Sequence, residues 1–411
     1  MAGSDFVVGG LARDGDFQFR LDFIEDLWEM LKKQDVLLLA PRRMGKTSVM
    51  YHLLDHPQDD WLVVHTNVEA IQSPAQFFIE LINALHEHDP HYLKHYLAKG
   101  WKRLNQVLGR VEEIDILDFK VALREDKDWS THWKQYTEEL IKRIQQSERK
   151  IFFIIDELPD MLSNIREHDP TQLEEFLHLF RSIRMAPQNT KIRWLIGGSV
   201  NIRGVLEEEG MINLINDLHV EILPPFTAAE IEKFVTQMLT QRNVEFDPAI
   251  TARITELLGS PIPYFLQLFT QELYRHWKRT GQSKITTDDV DTVFDRALMG
   301  EAARDKLQHF YSRIKAYYHP SEYSIVHTIL LELARSPEGI SKSGLFTLYQ
   351  QTHQQFNTAT TAQHYLKNHF ERLLWRLESD FYIQQKSANS QYDFSSRLLK
   401  TWWQRTYSYG K

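Results

Sequence analysis

The 411-residue chain contains no cysteine. That excludes a disulfide framework, a thiolate metal site and a cysteine nucleophile, and it fits a reducing compartment. Long apolar runs are missing too: no segment approaches the roughly 18 uninterrupted apolar residues of a membrane helix, and no basic stretch followed by an apolar run opens the sequence. The expected location is the cytoplasm, with no membrane contact. Low-complexity tracts and internal repeats are absent as well. What is present, 42% hydrophobic and 25% charged residues, is the composition of globular protein, with length for two or three domains.

The net charge of −8 is unevenly spread. Residues 301–411 carry 14 Lys and Arg against 9 Asp and Glu, giving +5 and leaving −13 for the first 300. A mildly positive field suits nucleic acid or an acidic partner; an ordinary solvated surface gives the same count.

Apolar residues at helical spacing over residues 20–34 lead into "VLLLA" at 36–40, a continuous apolar run of the kind buried on both faces of a parallel sheet. Further runs of this type stand at 61–69, 150–156 and 192–199, with helical patterns between them. Such alternation predicts a helix-covered, mostly parallel sheet. The interval between the second and third runs exceeds one crossover, and its irregular middle, about 90–130, reads as a helical insertion. After the fourth run, "LPPFTAAEIEKFV" opens with a capping box, Thr227 to Glu230, and helices follow at 248–258, 263–279 and 287–298. Beyond Pro320 come helices at 322–334, 341–352 and 359–378, then "FYIQQKSANSQYDFSS", which reads as a hairpin. The expected organisation is a core at 1–222, an all-α domain at 223–300 and a third domain at 301–411.

The first run ends in "APRRMGKTS". Between a buried strand and a helix, G-x-x-x-x-G-K-[ST] is a phosphate-binding loop, whose backbone N–H groups converge on phosphate oxygens at a helix N-terminus. Here Pro41, Arg42, Arg43, Met44, Gly45, Lys46, Thr47 and Ser48 would form the cradle. Gly45 is where a side chain would obstruct the phosphate, Lys46 supplies positive charge to the β- and γ-phosphates, and Thr47 offers a hydroxyl to Mg²⁺. Ala40 replaces the first glycine, at the strand end rather than over the phosphates.

The third run ends in Asp156 and Glu157. An acid there can hold Mg²⁺, and its neighbour can polarise a water for in-line attack; two acids after a strand can also simply cap a helix. The fourth run ends "GGSVNIRG", where Ser199 or Asn201 would sense the γ-phosphate, or serve only as a cap. Arg203 is a candidate finger for transition-state charge, in competition with Arg166, Arg181 and Arg184. The 18 histidines include His91 and His95 at i, i+4, but no glutamate follows His91, and surface histidines are the better reading.

With these residues placed, the chain resembles the archaeal-type ATPase branch of the STAND P-loop NTPases, which also has bacterial members and is related to AAA-type replication initiators. The matching text is "LLLAPRRMGKTS", "TNVEAIQSPAQFFIEL", "IFFIIDELPDML", "WLIGGSVNIRGVL", "LPPFTAAEIEKFV", "GSPIPYFLQLF" and "YDFSSRLLKTWWQR". The resemblance implies an α/β P-loop core with ATP and Mg²⁺ as cofactors, a helical lid and a C-terminal winged-helix domain. By position it assigns Lys46 and Thr47 to phosphate and magnesium, Asp156 and Glu157 to the acid pair and Ser199 to the polar sensor. It places Gly259 and Pro261 near the nucleotide; otherwise they are a helix-breaking turn. No arginine stands in the lid where AAA-type relatives keep a sensor. Two functions follow: an ATP-hydrolysing switch that controls assembly with itself or a protein partner, or a DNA-binding or docking module with structural ATP. In the second, Lys367, Arg372 and Arg376 lie on the recognition helix.

Overall fold

The computed structural model describes residues 20–41, 43–92, 127–187, 191–198, 209–259, 262–300, 320–356, 363–386 and 390–407, with a few isolated positions between them. They fall into two compact units, divided between Leu223 and Pro224. The expected insertion at about 90–130 lies almost wholly outside the described residues.

The first unit is built on five strands: β1 (Val36–Leu39), β2 (Trp61–Asn67), β3 (Lys150–Asp156), β4 (Ile192–Gly198) and β5 (His219–Ile222). They pair in the order β2-β3-β4-β1-β5, all parallel. The continuous apolar text of β1 and β3 has its reason here: every residue of β1, and Ile151 to Asp156 of β3, is buried. Successive side chains point to opposite faces. Phe152 accordingly meets Trp28 of α1 (Leu21–Leu31), with ring centroids 5.3 Å apart. Phe153 stacks on Trp194 at 4.7 Å, and Trp194 in turn meets Phe180 edge-on at 5.0 Å. Each large side chain so buried contributes about 1.5–3 kcal/mol.

Between strands run α2 (Lys46–Asp55), α3 (Pro74–His88), α4 (Lys127–Gln146), α5 (Leu158–His168) and α6 (Pro170–Met185). The sequence pattern anticipates four of the strands. It gives no sign of β5, "HVEI", a sheet-edge strand that is half exposed and interrupted by charge.

The second unit opens with α7 (Ala228–Thr240), whose capping box joins Thr227 and Glu230 as read. It continues through α8 (Ala249–Leu258), α9 (Pro263–Thr280) and α10 (Thr287–Val293), the last capped by Thr286 and Asp289 and followed by a π-helical turn, Phe294–Leu298. These helices carry one two-residue parallel pair, β6 (Glu245–Phe246) with β7 (Lys284–Ile285). Then come α11 (Pro320–Arg335), β8 (Ile340–Ser341), α12 (Lys342–Phe356), α13 (Gln363–Ser379), β9 (Ile383–Gln385), β10 (Gln391–Phe394) and α14 (Arg397–Tyr407). β9 and β10 form the expected antiparallel hairpin, extended by β8 on the other side of β10. Among the described residues, no helix is long and apolar enough to cross a membrane.

Candidate functional site

β1 delivers the chain to its C-terminal edge at Ala40, which is buried and keeps its N–H on the Gly198 carbonyl at 3.3 Å. Beyond it, Arg43 and Gly45 adopt left-handed backbone, φ 70° and 87°, with Met44 between them at negative φ. Alternation of this kind turns successive N–H groups to one side. Gly45 then starts α2, and a Cβ added to it would meet no atom of the described residues within 4 Å. Glycine is required there by its φ rather than by contact. Ala40 has no positive φ, so its backbone does not require glycine.

No acid stands in the first turn of α2; Lys46 does. A cation at the positive end of a helix dipole is disfavoured unless anions face it. Two do: Lys46 Nζ lies 2.9 Å from Asp156 Oδ1 and 3.3 Å from Glu157 Oε1. Thr47 Oγ1 donates to Asp156 Oδ2 at 3.0 Å, and the Glu157 N–H donates to Asp156 Oδ1 at 3.0 Å. Asp156 is 1% exposed. Burial pushes its carboxyl up, but the Lys46 charge and the Lys46 and Thr47 hydrogen bonds outweigh this and hold it below the ordinary carboxylate range. Glu157 is shifted the other way, raised chiefly by burial against the opposing pull of Lys46. Glu157 also has left-handed backbone, φ 60°, where it opens α5. That conformation costs a non-glycine residue about 1–3 kcal/mol and is concentrated at functional sites.

β1 and β3 are not neighbours, since β4 runs between them. Lys46 and Asp156 therefore meet across two strand spacings, about 10 Å. The end of β4 is Gly197 and Gly198. A Cβ at Gly197 would lie 2.9 Å from Asp156 Oδ1 and 2.2 Å from Met50 Cε, and one at Gly198 would lie 2.8 Å from Pro159 Cγ. Bare backbone at this strand end thus leaves room for the acid and for the start of α5. The sequence displays "GG" beside Ser199, yet only the strand order gives the glycines their purpose. On the far side, Val68 N–H donates to the Asp156 carbonyl at 3.0 Å, and Asn164 of α5 holds the Glu69 carbonyl at 2.8 Å.

The donor set suits a hard divalent cation: a hydroxyl and a carboxylate already in contact. Gly45, Lys46, Thr47, Asp156 and Glu157 thus come together. Arg42, Ser199, Asn201, Arg203 and Pro261 lie outside the described residues. Gly259 belongs to the second unit, where it ends α8 at φ 73°. Of the competing arginines, Arg184 is buried and paired with Asp217 at 2.8 Å, Arg166 lies 3.6 Å from Glu209, and Arg181 donates to the Asn213 carbonyl. In the second unit, Arg376 is taken by Glu322 at 3.2 Å and covers the Tyr318 ring at 4.3 Å. Lys342, Lys386, Lys400, Arg397 and Arg405 pair with Glu371, Asp393, Asp393, Glu256 and Asp295.

Residues 13–384 match the sequence profile described as Novel STAND NTPase 1. A Walker-type ATPase of Pyrococcus abyssi superposes over 97% of this chain and 99% of its own with a TM-score of 0.60 at 15% identity. The ORC2 protein of Aeropyrum pernix, solved as ADPNP and ADP complexes, covers 98% of each chain with a TM-score of 0.55 at 11% identity. At these identities the likeness is one of fold. Comparison with curated proteins finds no match.

Proposed function

Because the chain belongs to the Novel STAND NTPase 1 family, we propose that it is a Mg²⁺-dependent switch that binds and hydrolyses ATP, its nucleotide state governing assembly with itself or with a protein partner. The observation that carries this reading is the convergence of Lys46, Thr47, Asp156 and Glu157 at the start of α2.

In this reading the N–H groups of residues 43–47 and the α2 dipole bind the β- and γ-phosphates. Lys46 turns from the acids toward the γ-phosphate, where its charge counters what builds up as the bond to the leaving oxygen breaks. Thr47 Oγ1 and Asp156 would hold Mg²⁺, which would supply positive charge against the phosphates. Release of Lys46 leaves Glu157 free to accept a proton from the attacking water. Its raised pKa makes it a better base than a free glutamate. Ser199 or Asn201 would orient the water or sense the γ-phosphate, and Arg203 would serve as the finger. In the second unit, residues 223–300 would act as the lid, with Gly259 and Pro261 facing the nucleotide, and residues 301–411 as the winged-helix domain.

A protein contact is favoured over DNA for that domain. Arg376, a DNA candidate, is held by Glu322 and Tyr318, while only Lys367 and Arg372 of the proposed set lack an ion pair among the described residues. ATP turnover measured across protein concentration, with and without duplex DNA, tests the proposal. Turnover that rises with protein concentration and ignores DNA supports it; no turnover under any condition overturns it.

A further inference from the structure

The end of α8 and the start of α14 are 138 residues apart in sequence and locked together at the backbone. Gly259 pairs with Ser396 in an isolated antiparallel bridge. The approach is so close that a Cβ at Gly259 would lie 2.7 Å from the Arg397 nitrogen and 3.2 Å from the Ser395 carbonyl oxygen. Ser396, fully buried, uses one hydroxyl twice: it donates to the Leu258 carbonyl at 2.9 Å and accepts from Leu399 N–H at 3.3 Å. The same oxygen therefore satisfies an orphan carbonyl at one helix end and an orphan N–H at the other.

Charge pairs flank this contact. Arg397 meets Glu256 at 2.9 Å; Arg253 meets Glu256 and, at 2.8 Å, Asp291 of α10. Arg405, at the other end of α14, meets Asp295 in the π-helical turn at 2.8 Å. These pairs are about half exposed and screened by solvent, so they flank the contact while the buried Ser396 holds it.

We propose that the Gly259 turn is a mechanical joint that makes the helices of residues 224–300 and the C-terminal strands and helices one moving body, so that a partner bound by the C-terminal domain acts directly on the turn. The joint itself stands on the contacts above; its control by nucleotide rests on the reading of the turn as facing ATP. By reciprocity, if nucleotide held at the turn changes affinity for the partner, the partner must change affinity for nucleotide by the same factor.

Hydrogen–deuterium exchange on the full chain tests this. Ser396→Ala removes both hydrogen bonds with little change in volume, and should speed exchange about tenfold in the last turn of α8 and the first turn of α14 together, with β1 to β4 unchanged. Acceleration confined to α14 overturns the joint. Should Ser396→Ala fail to fold, exchange in the wild type across a series of low urea concentrations gives the same readout: one common urea dependence for the last turn of α8 and the first turn of α14 supports the joint, and separate dependences overturn it. With Mg-ATP added to wild type, protection of both helix ends supports nucleotide control, and protection of the β1–α2 loop alone overturns it. Protection nowhere rejects the ATP reading and leaves the joint decided by Ser396→Ala.

Discussion

Lys46 and Asp156 leave strands that a third strand separates, yet their charged atoms stand 2.9 Å apart, and a Cβ on Gly197 of that third strand would crowd the same Asp156 oxygen at 2.9 Å. Gly197→Ala should therefore displace the Asp156 carboxylate. The expected cost is about 1–3 kcal/mol of stability from overpacking against Met50. Mg²⁺-dependent ATP affinity should fall about tenfold, the effect of one misplaced charge-assisted contact. Shortening Met50 to Ala in the same chain relieves the 2.2 Å clash but not the 2.9 Å one, so affinity does not recover, while loss of the buried Met50 side chain adds its own cost in stability. Calorimetry of both variants separates the two effects.

Ala40→Gly restores the usual loop pattern and should gain nothing. Ala40 has no positive φ and is buried in the strand end, so ATP affinity should not change. Thermal unfolding should show a loss of about 0.5–1 kcal/mol from added chain entropy.

Glu157→Gln keeps size and hydrogen bonding and removes the base. ATP binding should persist while turnover falls by about 10²–10⁴-fold. In the wild type, burial raises the Glu157 pKa above its ordinary 4.5, so the rising limb of turnover against pH should lie above that value. A rising limb at or below 4.5 would remove Glu157 from the role.

Stability against pH should carry the opposite sign at Asp156, whose folded pKa lies below its ordinary 3.8. Its contribution is present above 3.8 and lost as pH falls through the folded value. Lys46→Ala leaves the buried acid unpaired, which typically costs about 3–5 kcal/mol near neutrality. The gap between variant and wild type should close in acid, as Asp156 protonates in both. Urea melts at neutral and acid pH check this.

Duplex DNA binding should be weak. With Lys315, Lys367 and Arg372 as the C-terminal basic residues without ion pairs among the described residues, a log–log salt slope no steeper than about −3 is expected from them. A much steeper slope in a filter or fluorescence titration would restore the DNA reading.

Much of this was legible in the sequence because the signals were local. "VLLLA" and "KIFFIID" read as strands since both faces are buried, and Thr227 with Glu230 announced a helix start within four residues. Lys46, Thr47, Asp156 and Glu157 were visible for the same reason. Gly197 was not, since its importance depends on β4 lying between β1 and β3, a long-range pairing that local pattern does not encode. The strained backbone of Glu157 and the Gly259–Ser396 bridge were hidden likewise. The C-terminal count of 14 basic residues says nothing of their partners: ion pairs within the second unit engage many of them.

The central claim is that Lys46, Thr47 and Asp156 form an ATP site, and isothermal titration of Mg-ATP into wild type and Lys46→Ala tests it most directly. Saturable binding by the wild type, weakened when Mg²⁺ is withheld and lost in Lys46→Ala, is the predicted result. No binding by folded wild type, or equal binding by the variant, would contradict it.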